Sequence, residues 1–187
     1  MGGWCFELNG IFHWLLSEVG FNVDITGSST RTATGTWRNA KDHMILIVHI
    51  DNRAYLSDVG FGMYKVSDTE LINNKNRFIL MFQMPYNPIE IFDGSISDQP
   101  NGSFKITQEE QFWMLSYQRL DDEDKWDVVY RFRSDWPKKL SDFQAIHEIY
   151  TYGREPLNIG LISKPMAQVL CSYTSGTIVR KYLNENC

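Results

Sequence analysis

The sequence predicts an α+β fold, in which one amphipathic helix precedes a series of antiparallel β-hairpins. Apolar residues at helical spacing run from Leu8 to Val19, and later β-branched segments are joined by short polar turns. With 187 residues, of which 43% are hydrophobic, the chain is long enough to bury a substantial core. We therefore expect a folded protein and not a disordered segment.

The first predicted element is a helix that carries Cys5 in its first turn and ends at Gly20. Its apolar residues recur at the spacing of a single helical face, so we expect this stripe to face the core with Cys5 on the same side. The stripe consists of Leu8, Ile11, Phe12, Leu15, Leu16 and Val19.

A hairpin is the next firm prediction. Residues 21–25 alternate like a short strand, and the polar residues 26–42 are typical of a long loop. Residues 43–50 are apolar and β-branched, and a two-residue turn at Asp51-Asn52 would return the chain through residues 54–62. The later predictions are a strand at 76–84, a turn at Asn101, a hairpin of 112–119 and 126–133, a helix that opens with a capping box at Ser141–Gln144 and ends near Gly153, and a hairpin over 167–183.

Composition limits the function. The net charge of -5 disfavours a general nucleic-acid binder, and the apolar run at 44–48 is far too short to span a membrane. The three cysteines are an odd number without metal-ligand spacing, which favours free thiols and a cytoplasmic location over disulfides or a metal site.

The predicted hairpin brings His43 and Asp58 together. If Ile50 pairs with Arg53 across the turn, His43 lies opposite Gly60, and Asp58 becomes its diagonal neighbour on the same face. A three-residue turn would put the two side chains on opposite faces. The proximity therefore depends on the turn.

Cys5, His43 and Asp58 together supply the parts of a nucleophilic triad. An aspartate fixes the tautomer of an imidazole and stabilises its protonated form, and such an imidazole can take the proton of a thiol. The N-terminus of a helix and an adjacent imidazolium both favour the thiolate. Gly2 and Gly3 keep side chains away from the approach to Cys5, and free N–H groups of the first helical turn could stabilise an oxyanion.

Each of these residues also has a structural interpretation when it is considered alone. Cys5 could be a small buried hydrophobe, His43 a core or rim histidine, and Asp58 a turn-forming residue. The other histidines and cysteines give weaker signals: we expect structural or surface roles for His13, His49 and His147, and neither Cys171 nor Cys187 has a candidate base nearby in sequence.

Three motifs in order resemble those of the arylamine N-acetyltransferases. They are Gly2-Gly-Trp-Cys-Phe-Glu-Leu-Asn9, His43 at the start of an apolar strand, and Asp58-Val-Gly-Phe-Gly62. Phe112-Trp113 and Asp142-Phe143 also follow the course of that family, so the resemblance covers almost the whole chain.

The resemblance implies a papain-like cysteine core, with a cysteine-bearing helix packed on an antiparallel β-barrel. An interdomain helix and a partial α/β lid would follow. We expect residues 1–20 to be the remnant of an N-terminal helical domain, residues 21–140 to form the barrel domain, and residues 141–187 to form the interdomain helix and lid.

The resemblance also implies ping-pong acetyl transfer from acetyl-coenzyme A to an arylamine, arylhydroxylamine or hydrazine. Cys5 would carry the acetyl group as a thioester, His43 would be the general base, and Asp58 would orient His43. Phe61 and Gly62 would line the acceptor pocket. Arg38, Asn39 and Lys41 would border the coenzyme cleft, where Arg31, Arg38 and Lys41 against the single acid Asp42 give a local positive charge.

Two departures from the family pattern lead to alternatives. Met1 stands where the family has an arginine, which removes an expected partner of Glu7, and segments found in relatives are missing at both ends. We therefore expect a shortened chain, either active or an inactive truncated product. A papain-like Cys-His-Asp hydrolase or amide synthase is the other alternative, since a triad does not select its acyl donor. We expect a monomer without a metal, a nucleic-acid partner or a membrane partner.

Overall fold

The structure is a computed structural model that describes residues 5–32, 34–39, 41–61, 85–118, 125–136 and 139–152. Several predictions therefore lie outside the described residues: the strand at 76–84, the hairpin over 167–183, the lid, and the surroundings of Gly62, Cys171 and Cys187.

The described part contains one long helix, eight strands and a shorter helical segment. Helix α1 spans Cys5–Glu18, a 3-10 helix spans Leu140–Phe143, and helix α2 spans Gln144–Tyr152. The strands are β1 Asn22–Thr30, β2 His43–Ile50, β3 Arg53–Ser57, β4 Ile89–Glu90, β5 Ser95–Gln99, β6 Gly102–Glu109, β7 Phe112–Gln118 and β8 Asp127–Phe132.

All eight strands belong to a single antiparallel sheet. Their order is β4-β3-β2-β1-β8-β7-β6-β5, and the sheet curls into a nearly closed barrel. Helix α1 packs on β1 and β2. The predicted combination of a cysteine-bearing helix and an antiparallel barrel is confirmed.

Strand β2 is buried on both faces because it separates two apolar clusters. Met44, Leu46 and Val48 face α1, where they pack in one cluster with Phe6 and Leu16. The alternate positions Ile45 and Ile47 pack in the other cluster, inside the barrel with residues such as Phe104 and Tyr130. Two-sided burial explains why residues 44–48 are apolar without interruption.

The helix at α1 is confirmed, but the prediction of its buried face is wrong in part. Ile11, Leu15 and Val19 are exposed, although they belong to the predicted stripe. Among the described residues, the sheet and the 3-10 helix pack against one side of α1, where the Phe6 ring lies 5.6 Å from that of Phe143. The buried residues are Cys5, Phe6, Leu8, Asn9 and Leu16.

The prediction of a loop from residue 26 is also wrong, since β1 continues to Thr30. Residues 26–30 form a strand because β2 lies on one side of β1 and β8 on the other. The buried hydroxyl of Thr26 donates to the carbonyl of Arg133, and that of Ser28 donates to the carbonyl of His43. Tertiary partners thus satisfy side chains that are typical of a loop.

The turn at Asp51-Asn52 is confirmed. Ile50 pairs with Arg53, and the φ angles of Asp51 and Asn52 are 49° and 63°. Two positive φ angles are the signature of the tight turns that match the twist of a hairpin. The ladder ends at Ser57, however, so the predicted pairing of His43 with Gly60 is wrong.

The hairpin of β7 and β8 and the turn at Asn101 are confirmed, but the capping box is misplaced. Ser141 lies inside the 3-10 helix, and the carboxylate of Asp142 accepts a hydrogen bond from the backbone N–H of Lys139 at 3.2 Å. The described part of helix α2 extends to Tyr152, and the predicted helix end near Gly153 lies outside the described residues. Strands β5 and β6 were missed, although the buried alternate positions Phe104 and Ile106 were a usable signal.

Candidate active site

Cys5, His43 and Asp58 meet where three elements come together. Cys5 is the first residue of α1, His43 is the first residue of β2, and Asp58 follows the end of β3. His43 Nε2 lies 2.6 Å from Asp58 Oδ2, and both side chains are almost completely buried. His43 also forms a side-chain hydrogen bond with Cys5. Since Nε2 is bound to the carboxylate, Nδ1 is the ring nitrogen left for the sulfur.

The two oxygens of the Asp58 carboxylate have different partners. Oδ2 contacts His43, whereas Oδ1 accepts hydrogen bonds from the backbone N–H groups of Gly60 and Phe61 at 2.9 and 3.1 Å. The side chain therefore forms the turn after β3 and also fixes the imidazole. The turn-forming and the imidazole-binding interpretations of Asp58 are both correct.

The surroundings of His43 favour its protonated form. Burial by itself lowers the pKa of this imidazole, but the negative charges of Asp58 and Cys5 and the hydrogen bonds to both outweigh burial. Together they raise the pKa of His43 from 6.5 to about 10. Burial raises the pKa of Asp58, but the charge and hydrogen bond of His43, together with the hydrogen bonds from Asn9 and Gly60, outweigh burial and leave this pKa below its ordinary value. The arrangement suits a protonated imidazole with an ionised carboxylate behind it.

Two aromatic rings enclose the imidazole on the barrel side. The ring centroid of Phe61 lies 5.0 Å from that of His43, and the centroid of Tyr130 lies 5.5 Å from it. Both aromatic residues are buried, so they limit the rotation of the imidazole and keep water from it. The sequence did not predict a role for Tyr130, because the contact of Tyr130 with His43 depends on the pairing of β8 with β1.

Asn9 is the last residue of the first motif, and the structure shows that it is a buried component of this site. Its Nδ2 atom donates to the carbonyl of Met44 at 2.7 Å and lies 3.0 Å from Asp58 Oδ1. Its Oδ1 atom accepts from the backbone N–H of Val59 at 2.9 Å. A usable signal existed in the sequence: Asn9 is a polar residue one helical turn after Cys5, on the same face.

Gly60 permits close contact between α1 and the turn after β3. A Cβ atom at this position would lie 2.5 Å from Cys5 Cα and 2.8 Å from Asn9 Nδ2. Such distances are too short for any side chain. The glycine therefore allows the turn that carries Asp58 to approach Cys5.

The other predicted histidines lie outside this cluster. His49 Nε2 contacts Asp24 Oδ2 at 3.0 Å in a half-exposed pair, and His13 is half-buried on α1. His147 of α2 contacts Glu7 at 2.7 Å. Glu7 thus has a histidine partner on α2, although the motif lacks the expected arginine.

The three residues predicted to contact a coenzyme lie on the segment before β2. Arg38 and Asn39 are exposed, and the Asn39 side chain accepts a hydrogen bond from the backbone N–H of Lys41. The neighbouring acid Asp42 is buried, and its carboxylate accepts hydrogen bonds from the N–H and the hydroxyl of Thr30. Burial, which outweighs these bonds, raises the pKa of Asp42. Asp42 thus attaches the segment to β1 while its cationic neighbours remain accessible.

The sequence is similar to those of known acetyltransferases. A family model described as N-acetyltransferase matches residues 1–78, which include all three motifs. The chain is 25% identical over 161 residues to arylamine N-acetyltransferase 1 of Bos taurus and 26% identical to that of Homo sapiens. Each alignment covers 78% of this chain and 49% of the relative. The chain is therefore similar to the arylamine N-acetyltransferases in sequence, and the similarity includes all three motifs.

Solved structures of arylamine N-acetyltransferases share the fold. The enzyme from Salmonella typhimurium superposes with a TM-score of 0.64 at 21% identity, over 84% of this chain and 48% of the other. A Bacillus cereus protein superposes with a TM-score of 0.63 at 22% identity, over 84% and 54%. The description of that protein reports a Cys-His-Glu catalytic triad.

The chain spans about half the length of the curated arylamine N-acetyltransferases that it matches. Within the part that the structure describes, no helix is long and apolar enough to cross a membrane.

Proposed function

We propose that this protein is an acetyl-coenzyme A-dependent arylamine N-acetyltransferase that uses Cys5 as its nucleophile. The observation that carries the proposal is the buried His43–Asp58 pair at 2.6 Å, with His43 also bonded to Cys5 at the N-terminus of α1. The match to an N-acetyltransferase family model and the similarity to arylamine N-acetyltransferases support acyl transfer as the reaction class.

In the first half-reaction, the Cys5 thiolate attacks the carbonyl carbon of the acetyl thioester. The new Sγ–C bond forms, the bond from that carbon to the coenzyme sulfur breaks, and the leaving sulfur takes the proton of the His43 imidazolium. N–H groups of the first turn of α1 stabilise the oxyanion. Asp58 keeps the imidazole oriented and stabilises its charge while the proton is present.

In the second half-reaction, the amine nitrogen attacks the acetyl carbon on Cys5. The N–C bond forms, the Sγ–C bond breaks, and the amine proton passes to His43, which restores the thiolate–imidazolium pair. Two easier steps thus replace a single difficult one. We expect Phe61 to border the acceptor pocket, where an aromatic face suits a flat arylamine or a hydrazine.

The positive residues before β2 supply contacts for the coenzyme. Arg38 and Lys41 lie a few residues ahead of His43, and Arg38 is exposed. Their charges attract coenzyme phosphates toward the site even though the whole chain is acidic. Asn39 adds an amide that can form hydrogen bonds on the same exposed segment.

Incubation with acetyl-coenzyme A in the absence of an acceptor tests this proposal. We expect a single acetyl group on the peptide that contains Cys5, and its loss when an arylamine is added with formation of the N-acetyl product. Cys5→Ser should take up no acetyl group, while Cys171→Ser should be labelled like the original protein.

The alternative hypotheses give different results in the same experiment. A folded protein that leaves Cys5 unlabelled contradicts the transferase. Turnover of a thioester or amide at a rate that does not respond to added amine indicates a hydrolase of the same core.

A further inference from the structure

Asn9 connects the three elements that carry Cys5, His43 and Asp58. It lies on α1, one turn after Cys5. Its Nδ2 atom donates to the carbonyl of Met44, the residue after His43, and its Oδ1 atom accepts from the N–H of Val59, the residue after Asp58. A third contact runs from Nδ2 to Asp58 Oδ1 at 3.0 Å. The side chain is completely buried.

The contact with Asp58 acts on the imidazole through the carboxylate. Hydrogen bonds from Asn9, Gly60 and Phe61 converge on Oδ1, which leaves Oδ2 directed at His43 Nε2. A carboxylate held at one oxygen by three donors cannot rotate without breaking them. Asn9 is the one of these donors that comes from the helix of the proposed nucleophile.

Position 9 requires an amide side chain, because its buried neighbours need both a hydrogen-bond donor and an acceptor. Val59 presents an N–H that needs an acceptor, whereas Met44 and Asp58 present oxygens that need donors. A primary amide supplies a donor and an acceptor within one short side chain, and an apolar residue of similar volume supplies neither. Unsatisfied buried groups would remain on two of the three elements.

We propose that Asn9 is a positioning residue for the acyl transfer, which fixes the Asp58 carboxylate against His43 and sets the separation of Cys5 from that pair. The proposal rests on the proposed function for its chemistry. The effect that can be measured without an acyl donor is that Asn9 controls the reactivity of the Cys5 thiolate through Asp58 and His43.

The test measures alkylation of Cys5 by iodoacetamide as a function of pH. Peptide mass separates Cys5 from the other cysteines, and no acyl donor is needed. Asn9→Asp keeps the shape and the acceptor for Val59, but it places an oxygen instead of an amide group beside Asp58. Asn9→Ala removes every contact of the side chain. Gln99→Ala is the matched control, since Gln99 is also buried and its side chain bonds to Asn87 and Ser97.

We expect Cys5 in Asn9→Ala to react about tenfold more slowly at neutral pH, as loss of a hydrogen bond to a charged group would produce. The pH range over which Cys5 reacts faster than an ordinary thiol should also become narrower in this variant. In Asn9→Asp, the new carboxyl group can still donate to Asp58 while it is protonated, so reactivity should be retained at low pH and fall as that carboxyl group ionises. Gln99→Ala should keep the original profile even if its melting temperature falls.

An unchanged profile in Asn9→Asp overturns the proposal, and so does an equal change in Gln99→Ala. If Asn9→Ala does not fold, the isosteric Asn9→Asp decides alone. The proposed function fails on a separate result. It fails if the unsubstituted protein takes up no acetyl group, whatever alkylation rates the Asn9 variants show.

Discussion

At the scale of single residues, the site depends on how one carboxylate divides its hydrogen bonds. Asp58 uses Oδ1 for the backbone of Gly60 and Phe61 and Oδ2 for His43. A substitution that keeps the acceptor at Oδ1 can therefore preserve the turn and still disable the imidazole. This separation makes Asp58 the most informative position for mutation.

Asp58→Asn should fold normally and lose most of its acetyl-transfer activity. The Asn oxygen can still accept from the turn, but its NH₂ group would donate to His43 Nε2 and move the ring proton to Nδ1, facing the thiol. A comparable change in a serine protease triad lowers kcat about 10⁴-fold, so we expect a loss of roughly 10³ to 10⁴. The measurement is the rate of Cys5 acetylation.

Asp24→Asn is the control for that variant, because Asp24 forms the half-exposed pair with His49 on β2. It should acetylate at the original rate. Full activity in Asp58→Asn would show that the orienting role is assigned to the wrong residue.

The sequence predicted the residues of the site better than it predicted their contacts. His43 and Asp58 were paired from hairpin parity, which depends only on the short turn at Asp51-Asn52. Tyr130 was not predicted, and Asn9 received no role. Their contacts depend on the packing of β8 and α1 against β2, which local spacing does not encode.

At the scale of elements, the position of α1 is set by backbone contact as much as by apolar burial. Gly60 lies against Cys5 so closely that a Cβ atom would overlap the helix backbone. Gly10, on the same helix as Cys5, differs: a Cβ atom there would meet Leu140 at 3.5 Å, an ordinary contact distance. Two glycine-to-alanine substitutions should therefore have opposite effects.

Gly60→Ala should destabilise the protein by about 1–3 kcal/mol, the typical cost of overpacking, and should slow Cys5 acetylation by displacing α1. Gly10→Ala should stabilise it by about 0.5–1 kcal/mol, because alanine is favoured over glycine within a helix. Urea unfolding measures both. Equal stability of the two variants would contradict the close packing of α1 on the turn after β3.

Secondary structure was predicted most accurately where local signals and tertiary partners agree. The hairpin turn, β2, and the pair of β7 and β8 follow directly from short-range patterns. The end of β1 and the buried face of α1 do not follow from such patterns. For β1, residues 26–30 gain their strand structure from two neighbouring strands. The covered face of α1 depends on where the sheet and the 3-10 helix lie.

At the scale of the whole molecule, the buried charge pair links the site to stability. The ordinary pKa of a histidine is 6.5, and the pKa of His43 in the folded protein is raised to about 10. A raised folded pKa stabilises the native state fully below 6.5, and this contribution disappears as pH rises toward about 10. The folded pKa of Asp58 is lowered, so Asp58 stabilises the native state above its ordinary pKa of 3.8 and loses this contribution as pH falls below that value.

The free energy of unfolding should therefore decrease between pH 6.5 and about 10 by more in the original protein than in His43→Gln. Urea denaturation midpoints across this range give the comparison, and the titratable groups that do not interact with His43 cancel. NMR titration of the His43 ring provides a second measurement that does not depend on the variant's folding. Parallel stability curves, or a ring that titrates near 6.5, would contradict the raised pKa.

The sequence by itself determined the class of fold, the hairpin register and the identity of the three proposed catalytic residues, because turns and strand parity act over short distances. Only the tertiary structure decided which side of α1 is covered, how Asn9 and Gly60 join that helix to the turn after β3, and which aromatic rings enclose His43. Those contacts join residues as far apart as His43 and Tyr130, so they arise only when helix and sheet pack together.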